Sequence, residues 1–285
     1  MVFCNYSLPL LLAGTIGGAL SALEVEPAKL FTNDAFPVAP GEFEASLETL
    51  TGRAGRSFDA SQHVVDRGGA LRTKAVNCAF TYGLGQNLDV GIATSHVWID
   101  DAAAANNGEA SFGRGCTSVD LSAKYQFFAT ETEPVHCACA VVPFLGVPLN
   151  DPQTQDMDGQ IATAEVTWRP GLDFVLSLAA DRFSLAGVVG GECPCGEHRE
   201  TQRMTWHSDL ALGCQCAPWC QFIVEGHYRH DLDQHRDNDC RCLSVSLGVL
   251  VPLEHLRLGL GFDRPIAGKN SDQENTFLCQ ITIPF

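Results

Sequence analysis

The chain ends on Asn275-Thr-Phe-Leu-Cys-Gln-Ile-Thr-Ile-Pro-Phe285. Phe277, Cys279, Ile281, Ile283 and Phe285 fall on one face at a period of two, and Thr276, Gln280 and Thr282 fall on the other, with Leu278 the exception. A closing strand with one apolar and one polar face, stopping on an aromatic residue, suits a membrane β-barrel, whose strands alternate lipid-facing and lumen-facing side chains. It also suits the last strand of a soluble sandwich, so the rest of the chain has to separate the two. Pro284 fits either, because proline is tolerated at a strand end.

Working outward from this stretch, the same alternation predicts eleven earlier strands: Gly41–Thr51, Leu71–Gly83, Leu88–Ile99, Thr117–Phe128, His136–Pro148, Gln160–Arg169, Leu172–Phe183, Gln202–Cys216, Cys220–His230, Cys240–Val251 and His255–Asp263. Thr117–Phe128 is the cleanest, with Val119, Leu121, Ala123, Tyr125 and Phe127 set against Ser118, Asp120, Ser122, Lys124 and Gln126. Pro170-Gly171 reads as a tight turn and residues 187–201 as a Gly/Cys loop. The connections alternate long and short, with the short ones after every second strand. That is the pattern of an outer-membrane barrel, which has short periplasmic turns and longer outer loops. Strands of about ten residues also match a tilted membrane span. The expectation is an all-β, twelve-stranded antiparallel transmembrane β-barrel of the outer-membrane type, with amino and carboxy termini periplasmic.

The bulk numbers agree. A mean hydropathy of +0.02 with 45% hydrophobic residues is what alternating lumen and lipid faces average to. No stretch reaches the roughly 18 apolar residues of a transmembrane helix. The one long apolar run, Leu8 to Leu20, resembles a signal-peptide core followed by small residues. Residues 1–22 are therefore read as a signal peptide, 23–40, with Pro27, Pro37 and Pro40, as an irregular periplasmic lead-in, and 41–285 as the barrel. A formal charge of −16 excludes nucleic acid as a partner and argues against anionic membrane surfaces.

The polar faces supply the candidate lumen-lining residues: Glu42, Glu44, Glu48, Lys74, Asp89, Asp120, Lys124, Glu165, Arg169, Asp173, Asp181, His207, Asp209, Glu225, His227, Arg229 and Arg257. Such charges can line a narrow wet pore, or pair across it and close it. Small residues on the same faces (Gly91, Gly213, Gly248, Gly259, Gly261) favour the pore, and the acidic excess favours cations or neutral polar solutes.

Thirteen cysteines are present, twelve once a signal peptide carrying Cys4 is removed. Residues i and i+2 of a strand share a face but do not easily bond to each other, so each C-x-C pair looks elsewhere for partners. Cys193, Cys195, Cys214, Cys216, Cys220, Cys240 and Cys242 are the disulfide candidates, with a bridge from Cys214 or Cys216 across the turn to Cys220. No cofactor is expected. Cys193, Cys195 and His198, and the loop Asp231–Asp239, are weak as metal ligands, and none is assigned. No G-x-S-x-G or H-E-x-x-H motif occurs. His207 with Asp209 is the one catalytic dyad worth naming, and an enzyme is not expected.

The stretches Phe80-Thr-Tyr-Gly-Leu-Gly-Gln-Asn-Leu-Asp-Val-Gly-Ile92, Leu121-Ser-Ala-Lys-Tyr-Gln-Phe127 and Phe144-Leu-Gly-Val-Pro148 resemble the strand–turn–strand units of the MetA-pathway of phenol degradation family of outer-membrane proteins. The resemblance implies a twelve-stranded barrel passing small, including aromatic, molecules, with no catalytic motif to carry over. The carboxy-terminal strand likewise resembles the signal read by the barrel-assembly machinery, implying that machinery and outer-membrane lipid as partners in a Gram-negative-type outer membrane. The cysteine content is more like that of chlamydia-type envelope proteins. That implies an alternative role, a structural barrel with a plugged lumen, disulfide-linked to other envelope proteins.

Overall fold

The computed structural model describes residue 30 and residues 33–102, 111–132, 135–149, 167–195, 202–233, 239–253 and 255–285. Its strands are β1 (Phe43–Phe58), β2 (Val64–Gly85), β3 (Leu88–Asp101), β4 (Ser111–Thr132), β5 (Val135–Pro148), β6 (Arg169–Ala180), β7 (Phe183–Glu192), β8 (Gln202–Ala217), β9 (Cys220–Asp233), β10 (Cys240–Leu253), β11 (Leu256–Lys269), the two-residue β12 (Ser271–Asp272) and β13 (Asn275–Pro284). Apart from β12 and the closing pair of β1 with β13, every neighbour in the sheet is a neighbour in sequence, and all strand pairings are antiparallel. The sheet closes because β1 pairs on one side with β2 and on the other with β13, from Glu44 opposite Pro284 to Arg53 opposite Asn275. The result is a closed barrel of twelve long strands, β12 being a short hook laid against the end of β1. Closure removes every free sheet edge, which spanning a bilayer with strands requires.

The exposure pattern is inside out. Phe80, Phe127, Leu260 and Phe277 are 59, 56, 60 and 62% exposed, whereas Glu44 and Glu225 are 1% exposed. Burying one such large apolar side chain is worth about 1.5–3 kcal/mol, so a band of them around the whole sheet calls for an apolar solvent. The closing strand shows the rule at residue level: Phe277 and Cys279 face out, and Gln280 and Thr282 face in.

Two strand assignments from the sequence are corrected, and they offset each other. Pro170-Gly171 is not a turn but lies inside β6, paired with Leu145 and Phe144 of β5. The turn falls instead at Asp181-Arg182, where Asp181 takes a positive φ of 53°. Residues 183–192, whose 187–192 part was read as loop, form β7. The expected strand Gln160–Arg169 lies mostly outside the described residues, with Arg169 opening β6. One strand shifts and the total of twelve survives. Polar connections between the expected strands, the Asp231–Asp239 loop among them, also begin or end as strand, because β1, β2, β4, β9 and β11 run on past the apolar band.

Candidate functional site

The interior is the site. From β1, Glu44 and Glu48 point inward; Glu48 accepts from Asn77 Nδ2 at 3.2 Å and Gln280 Nε2 at 3.1 Å. Glu44 faces Arg257 of β11, 3.7 Å away. Arg169 bridges Asp120 at 3.1 Å and Glu192 at 2.8 Å. His207 meets Asp173 at 2.9 Å, and Arg229 meets Asp231 at 2.9 Å. His227 contacts Asp209 at 2.9 Å through Nδ1, with Glu225 3.4 Å from Nε2.

Two of these pairs share a construction. Asp173, Gly190 and His207 stand in register on three successive strands, and the ion pair crosses the glycine between them. Asp120, Gly146 and Arg169 repeat the arrangement on β4, β5 and β6. A Cβ on Gly190 would lie 1.9 Å from Asp173 Oδ1, and one on Gly146 would lie 2.9 Å from both Arg169 and Asp120. The absent side chain is what lets partners two strands apart meet flat against the wall.

Down the middle runs the described part of the chain's own lead-in, residue 30 and residues 33–40. Leu30, Asp34, Ala35 and Val38 are all buried, and they touch the wall on many sides. The Leu30 amide donates to Glu225 at 2.8 Å, Ala35 to Ser177 Oγ at 2.8 Å and Val38 to Asp89 at 3.0 Å. In return, Lys124 Nζ donates to the Phe36 carbonyl at 3.0 Å and Gln126 to that of Ala35 at 3.3 Å. Lys124 also lies 3.7 Å from Asp34 and 3.9 Å from Asp89. Side chains of β3, β4, β6 and β9 thus hold one irregular segment. Where it enters, Pro40 bridges to Gly83, and a Cβ there would sit 2.0 Å from the Ala39 carbonyl oxygen.

This corrects the reading of the small lumen residues. The space at Gly248 and Gly259 is occupied by Leu30, whose Cδ atoms would lie 2.0 and 3.2 Å from added Cβ atoms. Leu278, the apolar exception on the polar face of β13, clusters with Leu30, Leu50, Ile223 and Leu250. A second apolar cluster gathers Ala35 with Ala138, Ala140, Val142, Val175 and Val188.

Glu42, Lys74 and Asp181, expected in the lumen, are exposed outside it, Lys74 in an outward row opposite Trp98. Glu42 precedes β1, its amide donating to Ala39, and Asp181 sits in the β6–β7 turn. Glu165 lies outside the described residues. Sequence reading missed Asp34, Glu192, Asp231 and Asp263. Asp263 shares the parity of Arg257 and so was within reach of the pattern, whereas Glu192 was hidden by the misplaced turn.

The proposed dyad of His207 and Asp209 does not form, since each takes another partner. A different relay does: Asp209, His227 Nδ1 at 2.9 Å, then His227 Nε2 to Ser246 Oγ at 3.1 Å. Ser246, however, is fully buried and donates its single proton to Asp263 at 2.6 Å. The cluster is a closed polar network rather than a nucleophile primed by its base.

The expected bridge across the β8–β9 turn is not made. Cys214, Cys216 and Cys220 are free thiols, as are Cys193, Cys195 and Cys242. The register sets Cys214 opposite Phe222 and Cys220 opposite Ala217, so no two cysteines face each other there. Among the described residues, no group of three or more His, Cys, Asp or Glu side chains could hold a metal ion.

No protein-family model matches the chain, and no curated protein matches it. Solved structures do. The translocator domain of autotransporter NalP from Neisseria meningitidis aligns at a TM-score of 0.48 with 10% identity, over 87% of this chain and 89% of that one. An outer membrane channel from Pseudomonas putida F1 aligns at a TM-score of 0.76 with 11% identity, covering 90% of this chain and 100% of that one. The chain therefore has the fold of a closed, twelve-stranded antiparallel outer-membrane β-barrel.

Proposed function

We propose that the chain is an outer-membrane channel for small solutes, with both termini on the periplasmic side, and that the described conformation is its closed state. One observation carries this reading. Among the described residues, beyond the bridge at Pro40, the segment in the lumen is held by side-chain hydrogen bonds and apolar contacts and not by strand pairing, so it can leave without opening the sheet. The wall it would uncover is acidic, which favours cations and neutral polar molecules over anions. The resemblance to the phenol-degradation family adds small aromatic molecules to the candidate cargo, and the channel structure from Pseudomonas putida F1 is consistent with a transport role. The competing reading, a structural barrel with a permanently filled lumen, is favoured by the burial of Asp34 and Ala35.

Single-channel recording on the refolded protein in a planar bilayer separates the two. Discrete cation-preferring openings support the channel. A silent membrane, with barrel formation confirmed by heat-modifiable gel mobility, supports the structural role.

A further inference from the structure

The charge of −16 conceals a basic surface on the outside of the barrel. Two cross-strand rows face outward on β1 to β4. In one, Thr51, Lys74, Trp98 and Arg114 stand opposite one another in succession. In the next, Arg53 lies directly opposite Arg72, and Arg72 opposite Asp100. Arg53, Arg72, Lys74 and Arg114 are exposed, and none makes an ion pair or side-chain hydrogen bond among the described residues. Even Asp100, the one carboxylate in the rows, makes no ion pair with Arg72. Like charges directly opposite on one face of a sheet repel. An uncompensated Arg53–Arg72 pair is a place that an anion would stabilise.

Depth identifies the anion. At the short-turn end of the same strands, the Phe43 and Tyr82 rings stack 4.4 Å apart. Thr51 lies eight residues further along β1. At about 3.3 Å per residue this is about 26 Å along the strand, or about 20 Å along the membrane normal at a typical strand tilt. Most outward residues between are apolar, among them Leu47, Phe80, Ile92 and Leu121, while the row next to the cations holds Thr49, Val76, His96 and Cys116. An apolar band of about 25 Å ends about 5 Å higher, and the long Lys and Arg side chains carry their charges across that distance to headgroup level. Trp98, with an apolar body and a polar N–H, marks the same boundary. The patch is one-sided: among the described outward residues of β5 to β9 there is no Lys or Arg.

We propose that Arg53, Arg72, Lys74 and Arg114, with Trp98, form a docking site for a phosphate-bearing lipid of the leaflet at the long-loop end. This rests on the membrane reading above. It also revises the expectation from net charge, because the distribution of charge and not its sum meets the membrane surface.

The test uses the full chain, refolded, with barrel formation checked by heat-modifiable mobility and insertion checked by flotation with phosphatidylcholine vesicles. Native mass spectrometry then reads retention of diphosphorylated lipid A, with phosphatidylcholine and inorganic phosphate as comparison probes. The folded protein should retain lipid A and neither of the others. Arg72→Gln removes the Arg53 repulsion, so it should fold, and it should weaken lipid A binding about fivefold. Replacing all four cations with Gln should weaken it by about a hundredfold or more, while Arg182→Gln, in a turn at the other end, should leave it unchanged. Equal retention of lipid A and phosphatidylcholine, capture of inorganic phosphate instead, or undiminished binding by the four-fold variant would overturn the site. A folded chain that does not enter vesicles would overturn the membrane reading itself, and the lipid site with it.

Discussion

The Leu30 amide and the Glu225 carboxylate, 195 residues apart in sequence, are joined at 2.8 Å inside the barrel. A hydrogen bond to a charged group contributes about 1.5–3 kcal/mol. Glu225→Ala should therefore raise the open fraction of the channel about tenfold or more, read as open probability in single-channel recordings. An unchanged trace would mean that the segment is held elsewhere.

Gly83 tests the entry point. An added Cβ meets the Ala39 carbonyl oxygen at 2.0 Å, so Gly83→Ala must push the lead-in away from β2. The expected result is a larger mean conductance at a cost in barrel stability of about 1–3 kcal/mol, measured by denaturant titration of gel mobility.

Glu48 tests selectivity. It is buried, and its described partners are two neutral amides, Asn77 and Gln280. Glu48→Gln conserves shape and, in recordings at pH 9, removes one negative charge from the wall. The cation-to-anion permeability ratio, taken from the reversal potential in a salt gradient, should fall toward one.

The long-loop end should respond to pH. Beyond the apolar band, Arg67 holds Asp101 at 2.9 Å and Asp272 of β12 at 3.0 Å. Burial raises the Asp272 carboxyl to about 6, overcoming the opposing pull of Arg67, and Asp101 adds to the rise. Burial likewise raises Glu274, hydrogen-bonded by Thr73, to about 7. Both carboxyls bind protons more tightly folded than unfolded. Their contribution is complete in acid and is lost as pH rises through about 6 and 7. Amide exchange at residues 56–58 and 271–274, corrected for intrinsic rates, should show less protection at pH 8 than at pH 5. Asp272→Asn with Glu274→Gln should flatten the difference.

The glycine beneath the His207–Asp173 pair gives a stability test. Gly190→Ala forces the carboxylate aside and breaks a buried pair, at a cost of about 3–5 kcal/mol. Gly187→Ala on the same strand meets nothing closer than 3.8 Å and should cost far less.

Much of this architecture is legible in the sequence because a barrel writes one rule, period two, into every strand. Glu44, Asp89, Asp120 and Lys124 could be placed inside from parity alone. The rule fails where glycine replaces the alternating signal. Gly190 and Gly191 made β7 look like loop, although Gly190 is needed to pass an ion pair overhead. Pro170-Gly171 has the chemistry of a turn, yet a proline at the second residue of β6 costs little in a strand just beginning. The filling of the lumen was not legible for a different reason. Residues 33–40 have no period, and their place is set by polar side chains far away in sequence, Asp89, Lys124, Gln126 and Ser177. Leu278 was the visible trace, an apolar side chain where a polar one was due.

The glycine-crossed ion pairs bear on what kind of gate this can be. Because Asp120–Arg169 and Asp173–His207 lie flat along the circumference, they act as hoops on a cask, gripping the staves from within and leaving the bore to other occupants. A wall hooped in this way keeps its girth whether or not anything stands in the middle. The girth of the wall and the filling of its bore therefore rest on different sets of contacts, the ring pairs for one and the bonds to Leu30, Ala35 and Val38 for the other.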